Sequence, residues 1–263
     1  MSKKFSSQLY KALDFVLRRQ KEDGGFGATP KLPATLEDTY HALGIIGMID
    51  TYCGLPEGLA PNTREHARFL KTFLGGKPEL STKGIYQSIW CLDALGLADE
   101  ARNFAKERTP GLSCSSNIEA YYILRISRLV GREYVKCMPD KEQMKKAIAF
   151  KGILMRRWMY VYVSVFAALT FDSTDVAQWI KRCQNYDGGF GFLPGTTSFL
   201  ENCHFALGAL DLLGEAPWDT AGAIKFVTGC QRKSGGFSRK ADAAPFLDST
   251  YHGCSALILL DRA

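Results

Sequence analysis

Several side chains of this 263-residue chain can do chemistry. Cys203 is conspicuous, because the equivalent positions of two sequence repeats hold Thr39 and Thr250 instead. A thiol there can be a metal ligand or a buried packing residue. A second set is aromatic, and such rings can stabilise a carbocation in a cavity or form an ordinary core. Its members are Trp90, Tyr121, Tyr122, Trp158, Tyr160 and Tyr162.

A repeated phrase indicates the elements that must position these residues. The pattern Gln-x-x-x-Gly-Gly-Phe occurs at residues 20–26, 184–190 and 231–237. Each copy is followed by a Pro-containing loop, an acidic residue and an apolar helical run. Two adjacent glycines end a helix where the chain must turn through positive φ angles. The repeating unit is therefore a helix, a Gly-Gly turn, a loop and a second helix.

Six such units fit the chain, since 263 residues divided by six is about 44 residues, a typical helical-hairpin repeat. The phrase fades in the middle, but apolar helices are predicted to begin near Ile85, Ile118 and Val161. The second helix of each unit is the more apolar, and a helix that is apolar all round is buried on all sides. We therefore predict one all-α domain over residues 1–263, a closed barrel with these helices inside. Residues 55–62 are predicted to be an ordinary loop.

Composition argues against several classes of protein. The formal charge is +6, but Lys and Arg are scattered rather than clustered in a basic stripe, so no nucleic-acid partner is expected. The longest apolar run, residues 158–171, is too short to span a bilayer. The first four residues are not followed by the apolar segment of a secretory signal. Eight cysteines without such a signal suggest a cytoplasmic protein whose thiols are free or bind metal.

The Gln-x-x-x-Gly-Gly-Phe loops leading to paired helices resemble the repeat of the protein prenyltransferase and squalene cyclase superfamily. Within it, the β subunits of protein prenyltransferases are the most similar. The resemblance is strong for residues 9–50 and 176–262 and weaker between them. It implies an α6/α6 toroid with a central apolar cavity that binds a prenyl diphosphate or another isoprenoid. The side chains that would line this cavity are Trp90, Tyr121, Trp158, Tyr162 and Tyr251.

The resemblance also implies a zinc site. The β subunits bind one zinc ion through Asp-x-Cys and a histidine one repeat later. Here Glu201 and Cys203 stand at the first two places, and His252 stands at the third. Zinc would lower the pKa of a substrate thiol, so Cys203 and His252 would be the catalytic ligands. Asp248 precedes His252 by four residues on the same helix face and would orient its imidazole.

Each predicted zinc ligand also has a structural explanation. Glu201 aligns with Glu37 and Asp248 in the first turn of a helix, where the helix dipole favours an acid. A buried free cysteine is common in proteins. His252 aligns with His41, as a repeated packing or hydrogen-bonding histidine would.

Diphosphate binding is harder to place. Two positions at which the family has cations hold Gly195 and Ser198 here. The replacement candidates are Arg156, Arg157 and His204. The two arginines can equally well be explained without a ligand, as residues of a solvated loop before a core helix. A diphosphate needs several convergent cations, and Mg²⁺ is a further cofactor to consider.

Three functions stay open from the sequence. The leading hypothesis is zinc-dependent transfer of an isoprenoid from its diphosphate to a thiol acceptor. For this chemistry the family implies a helical α-subunit-like partner, or here a homodimer, that supplies a cation. The second is a non-catalytic toroid that binds an isoprenoid, lipid or peptide, and the missing cations favour it. The third is a terpenoid cyclase, which the lack of an Asp-x-Asp-Asp acid motif disfavours.

Overall fold

The chain folds into two concentric layers of helices. The computed structural model describes residues 3–59, 63–75 and 80–263, and these form twelve α-helices and no β-strand. The outer helices are α1 (Ser6–Leu17), α3 (Thr63–Gly75), α5 (Ala98–Arg108), α7 (Lys141–Ala147), α9 (Ser173–Lys181) and α11 (Thr220–Gly229). The inner helices are α2 (Leu36–Cys53), α4 (Thr82–Ala94), α6 (Asn117–Val130), α8 (Leu154–Phe166), α10 (Leu200–Leu213) and α12 (Leu247–Leu260).

The six inner helices form a closed barrel, called the inner barrel below. Each packs against its two neighbours in chain order, and α12 packs against α2 to complete the circle. The predicted α6/α6 toroid of six helical hairpins is therefore confirmed. Of the loop predicted at residues 55–62, residues 55–59 form no helix, and residues 60–62 lie outside the described residues.

Burial explains which helix of each hairpin lies inside. Residues 39–46 of α2 are all buried, which is possible only if the helix is covered on every side. In contrast, α5 buries only Ala101 and Ala105, and its other side chains are partly or fully exposed. No helix in the described part of the chain has the length and apolar character needed to cross a bilayer.

The Gly-Gly-Phe loops join successive hairpins through backbone contact. Gly188 has a φ of 82°, and a Cβ atom on it would lie 2.1 Å from the carbonyl of Gly222 in α11. Gly235 has a φ of 95°, and its Cβ would lie 2.1 Å from the carbonyl oxygen of Lys11 in α1. Each loop therefore rests directly on an outer helix of the next hairpin, and no side chain fits between them.

The glutamine of the phrase reinforces the same contact. The side chain of Gln184 donates to the carbonyl of Asp219 at 2.8 Å and accepts from its N–H at 2.9 Å. Gln231 donates in the same way to the carbonyl of Gln8 at 2.8 Å, across the junction between the last hairpin and the first. The phrase that identifies the repeat in the sequence is thus the part that holds the hairpins together.

The glycine contact predicts a large difference between two Gly→Ala variants. Gly188→Ala combines a positive φ with a backbone clash, so we expect a loss of roughly 3 kcal/mol or more in the free energy of unfolding. Gly195→Ala is the matched control, because Gly195 has a φ of 77° but no atom within 4 Å of its Cβ position. It should lose only about 1 kcal/mol. If urea unfolding shows that both variants lose the same free energy of unfolding, the backbone contact at Gly188 does not contribute to stability.

Candidate functional site

A cavity of about 390 Å³ lies at the centre of the inner barrel. All six inner helices contribute to its lining. Its size falls within the range of about 300–1,000 Å³ that is typical of small-molecule sites. The cavity is therefore large enough to bind an organic ligand.

Six side chains form a belt around this cavity, called the central ring below. Each is the fifth residue of its inner helix: Tyr40, Tyr86, Tyr121, Trp158, His204 and Tyr251. Around the ring, the centroids of adjacent side chains are 4.9–6.0 Å apart at five of the six junctions. At the sixth, Tyr122 bridges Tyr86 and Tyr121 at 5.5 and 5.0 Å. An identical register in six helices thus places one belt of rings at one depth.

The ends of the cavity differ in chemistry. Glu37, Lys83 and Asp248, each the second residue of its helix, line the end at which the inner helices begin, here called the mouth. Arg125 and Tyr162 are ninth residues, so their Cα atoms lie about 10 Å deeper at 1.5 Å per residue.

Two further ninth residues are glycines that make room for aromatic rings. A Cβ on Gly44 would lie 2.8 Å from the ring of Tyr251, and one on Gly208 would lie 2.9 Å from Nε1 of Trp158. These glycines let the rings lie back against the helices and so keep the cavity open.

The comparisons with known proteins agree with this architecture. A family model described as the prenyltransferase alpha-alpha toroid domain matches residues 1–73, 132–200 and 196–263. The chain belongs to the prenyltransferase α/α-toroid family. No curated protein sequence matches it.

Two solved structures share the toroid fold. Protein geranylgeranyltransferase-I of Candida albicans, complexed with GGPP, has a TM-score of 0.67 and 12% identity, over 95% of this chain and 90% of that chain. A protein from Actinoplanes has a TM-score of 0.57 and 13% identity, over 97% and 98% of the two chains. Similarity at this level of identity shows the fold alone.

The toroid does not bring the three predicted zinc ligands together. Glu201 accepts a hydrogen bond from Nε of Arg239 at 2.6 Å, whereas His252 lines the cavity. No three His, Cys, Asp or Glu side chains within residues 3–59, 63–75 and 80–263 are arranged to hold a metal ion. The residues present therefore do not fit zinc as placed here, and zinc binding stays a prediction.

Cys203 has a different environment from the one expected of a metal ligand. In two repeats a threonine hydroxyl accepts the N–H of the loop phenylalanine: Phe26 donates to Thr39, and Phe237 to Thr250, each at 3.0 Å. Cys203 takes the equivalent place, with its Sγ facing the N–H of Phe190. Burial raises the pKa of this thiol above its usual range.

The other predicted polar residues are also dispersed. Arg157 donates to the carbonyl of Gly152 at 2.8 Å and stacks on Trp179, with 3.7 Å to the ring centroid, so it faces the outer layer. Arg156 is exposed and does not line the cavity. Of the three diphosphate candidates only His204 lines it. Asp248, which was predicted to orient the imidazole of His252, lies at the mouth.

The predicted aromatic lining is largely found at the cavity. Tyr121, Trp158, Tyr162 and Tyr251 line it. Trp90 does not line it but packs edge-on against Tyr40, with centroids 5.1 Å apart.

One helix start was predicted wrongly. The predicted start near Val161 is seven residues late, because α8 begins at Leu154. The fifth residue of α8, in the central ring, is accordingly Trp158, and Tyr162 lies one turn deeper.

Arg125 is the residue that the sequence analysis missed. It lines the cavity, lies over the ring of Tyr86 at 4.3 Å and donates to the hydroxyl of Tyr121 at 2.6 Å. A signal was present, since Arg125 is a cation in an apolar helix, four residues after Tyr121 and three after Tyr122. It also falls in residues 74–131, which the family model does not match.

Three histidines lie together on one side of the cavity. The rings of His204 and His252 are 4.8 Å apart, and those of His41 and His252 are 6.5 Å apart. Burial lowers the pKa of His41 to about 4, against the opposing effect of Glu37 and Asp248. Burial likewise lowers the pKa of His204 to about 3 and that of His252 well below its usual value. The toroid therefore carries these imidazoles uncharged at neutral pH.

We expect Cys203→Thr to be tolerated, because threonine occupies the same place in two other repeats. Its free energy of unfolding should stay within about 1 kcal/mol of wild type, and Cys203→Ala should be the less stable variant. Elemental analysis of the same three proteins would test the zinc prediction, and much less than one ion per chain in all of them would exclude it. About one zinc per wild-type chain, lost in Cys203→Thr, would instead establish the zinc site.

The buried histidines predict a loss of stability in mild acid. Between pH 6.5 and about 4, His41 binds a proton in the unfolded chain but not in the folded one. Stability therefore falls as the pH drops through this window, by up to about 3 kcal/mol from His41 alone. Urea unfolding at pH 7 and pH 4.5 would measure the loss, and His41→Gln should reduce it. If His41→Gln loses as much stability between pH 7 and pH 4.5 as wild type does, protonation of His41 is not the cause of the loss.

Proposed function

We propose that this toroid holds the prenyl chain of an isoprenoid diphosphate in its central cavity, as the donor of a prenyl-transfer reaction. The observation that carries the proposal is the central ring, a complete belt of aromatic and imidazole side chains around a cavity of about 390 Å³. An unsaturated hydrocarbon chain is suited to such a lining because it is apolar and polarisable. The Candida albicans enzyme of the same fold, complexed with GGPP, supports the choice of ligand.

The reaction places definite demands on the cavity. The bond between C1 of the prenyl group and the diphosphate oxygen breaks, and the electron pair leaves with the diphosphate. Positive charge develops at C1 until the acceptor forms its bond there and releases a proton. Aromatic faces such as those of Tyr86 and Tyr121 stabilise this charge. No step is assigned to zinc, and the thiol acceptor and the helical partner stay predictions from the resemblance.

Non-catalytic binding of the same isoprenoid is the second candidate. It is favoured by the two acids at the mouth, Glu37 and Asp248, where a transferase would be expected to place cations. Both candidates require the cavity to bind the prenyl chain, and only the first predicts release of diphosphate in the presence of an acceptor.

Two glycines of α2 allow a steric test of the cavity. Gly44→Ala would push the ring of Tyr251 inward, whereas Gly47→Ala adds a methyl group where no atom lies within 4 Å. We expect Gly44→Ala to weaken binding of farnesyl diphosphate or geranylgeranyl diphosphate by about tenfold, as overpacking costs about 1–3 kcal/mol. Gly47→Ala should bind as wild type does. Titration followed by tryptophan fluorescence would measure both, since Trp158 belongs to the central ring.

The contrary result is also clear. If wild-type protein binds neither diphosphate, the proposed function is wrong. If it binds them and the two glycine variants behave alike, the ligand is bound outside the cavity.

A further inference from the structure

We propose that one side of the central cavity, called the polar wall, binds the hydroxyl group of a neutral acceptor molecule beside the prenyl chain of the donor. The polar wall is formed by the second and sixth residues of three neighbouring inner helices, α12, α2 and α4: Asp248, His252, Glu37, His41, Lys83 and Gln87. The inference rests on the proposed function for the donor. It adds the chemical class of the acceptor and the side of the cavity that it occupies.

The first support is that the cavity is divided lengthwise by polarity. Helix α8 stands opposite α2 in the circle of six inner helices. Its second and sixth residues are Met155 and Met159, and the sixth residue of the neighbouring α10 is Phe205; all three line the cavity. An apolar prenyl chain is expected on this side, because it can displace water there without leaving polar groups unpaired. The polar wall is then available to a second molecule.

The second support is a group of unpaired polar atoms. Nδ1 of His41, Nδ1 of His252 and Nε2 of Gln87 are buried and have no hydrogen-bond partner among the described residues. His41 and Gln87 are only 7% and 4% exposed, and both line the cavity. Of the cavity-lining residues of α8, only Trp158 has such an atom. Unpaired buried polar groups cost free energy, and a ligand on the polar wall would supply their partners.

The third support is the kind of group that fits these partners. An anion would lie one turn below Glu37 and Asp248, and their carboxylates would repel it. An ammonium group only donates, so it cannot pair with the amide N–H of Gln87. A hydroxyl both donates and accepts, so it can accept from Gln87 and donate to the uncharged imidazole of His41. These two residues take the same position in neighbouring helices. A thiol makes such bonds only weakly.

The polar wall also accounts for the proton that the reaction releases. As the hydroxyl oxygen bonds to C1, the bond between C1 and the diphosphate breaks, and its electron pair leaves with the diphosphate. The oxygen then carries the proton and the positive charge, and such an oxonium is a far stronger acid than an imidazolium. The uncharged imidazole of His41 takes the proton, and the product is a neutral ether.

The test compares three ligands that differ in one group on the same carbon. Benzyl alcohol carries a hydroxyl, phenylmethanethiol a thiol and ethylbenzene a methyl group. Isothermal titration calorimetry at pH 7 would measure Kd for each, and the ratio of Kd for ethylbenzene to Kd for benzyl alcohol reports the contribution of the hydroxyl. We expect Gln87→Met to lower this ratio about tenfold, the effect of one or two hydrogen bonds, by weakening benzyl alcohol alone. Binding of the thiol should hardly change.

Two further variants complete the test. Met159→Leu is the matched control, because Met159 takes the same position in the opposite helix, and it should keep the wild-type ratio. His41→Phe should lower the ratio as Gln87→Met does. The thermal midpoint of Gln87→Met should be unchanged or higher, since the amide N–H that it removes has no partner. If Gln87→Met does not fold, His41→Phe decides.

Titration with farnesyl diphosphate separates this site from the proposed function. Its affinity should be the same in Gln87→Met as in wild type, because the prenyl chain lies on the α8 side. If benzyl alcohol does not bind to wild type, or if both polar-wall variants keep the wild-type ratio, the hydroxyl site is wrong even where farnesyl diphosphate binds. The site is also wrong if Met159→Leu lowers the ratio equally, or if phenylmethanethiol weakens as much as benzyl alcohol. If the ratio falls as expected but farnesyl diphosphate does not bind, the proposed function fails and the hydroxyl site stands.

Discussion

Closure of the toroid depends on a backbone contact that only glycine permits. At Gly188 and Gly235 the loop backbone lies so close to an outer helix of the next hairpin that a Cβ atom would not fit between them. The contact fixes how far apart successive hairpins stand and how much each is rotated relative to the last. Since the glutamine bonds repeat with the glycines, the same rotation recurs, and α12 arrives beside α2 rather than above it.

The chemistry of the cavity follows from that regular geometry. Because the inner helices share one register, residues at the same position in each helix meet at one depth. Second residues make the mouth acidic, fifth residues form the central ring, and ninth residues supply Arg125 together with Gly44 and Gly208. The chemistry of the cavity lining therefore changes with depth along the inner helices.

The repeated phrase and the apolar second helices predicted the closed barrel of helical hairpins, and the family resemblance added the central cavity and most of its aromatic lining. The start of α8 was misplaced because Arg156 and Arg157 interrupt its apolar pattern in the first turn. The roles of Cys203 and Arg125 depend on which side of a helix faces the cavity, and that is set by rotation of packed helices. The sequence showed threonine at the positions equivalent to Cys203, but the bond that those hydroxyls accept from the loop phenylalanine is seen only in the structure. Only the assembled barrel shows that Arg125 lies among tyrosines.

The junction between the last hairpin and the first has a consequence for how the molecule assembles. It joins Gln231 to Gln8 across 223 positions, and Tyr52 to Asp261 across 209. An open array of repeats can grow from any nucleus, because each unit contacts only its neighbours in sequence. Here one of the six interfaces forms only when nearly the whole chain is in place, and such non-local contacts slow folding. Loss of any single hairpin would also break the circle, so unfolding should be cooperative over all six.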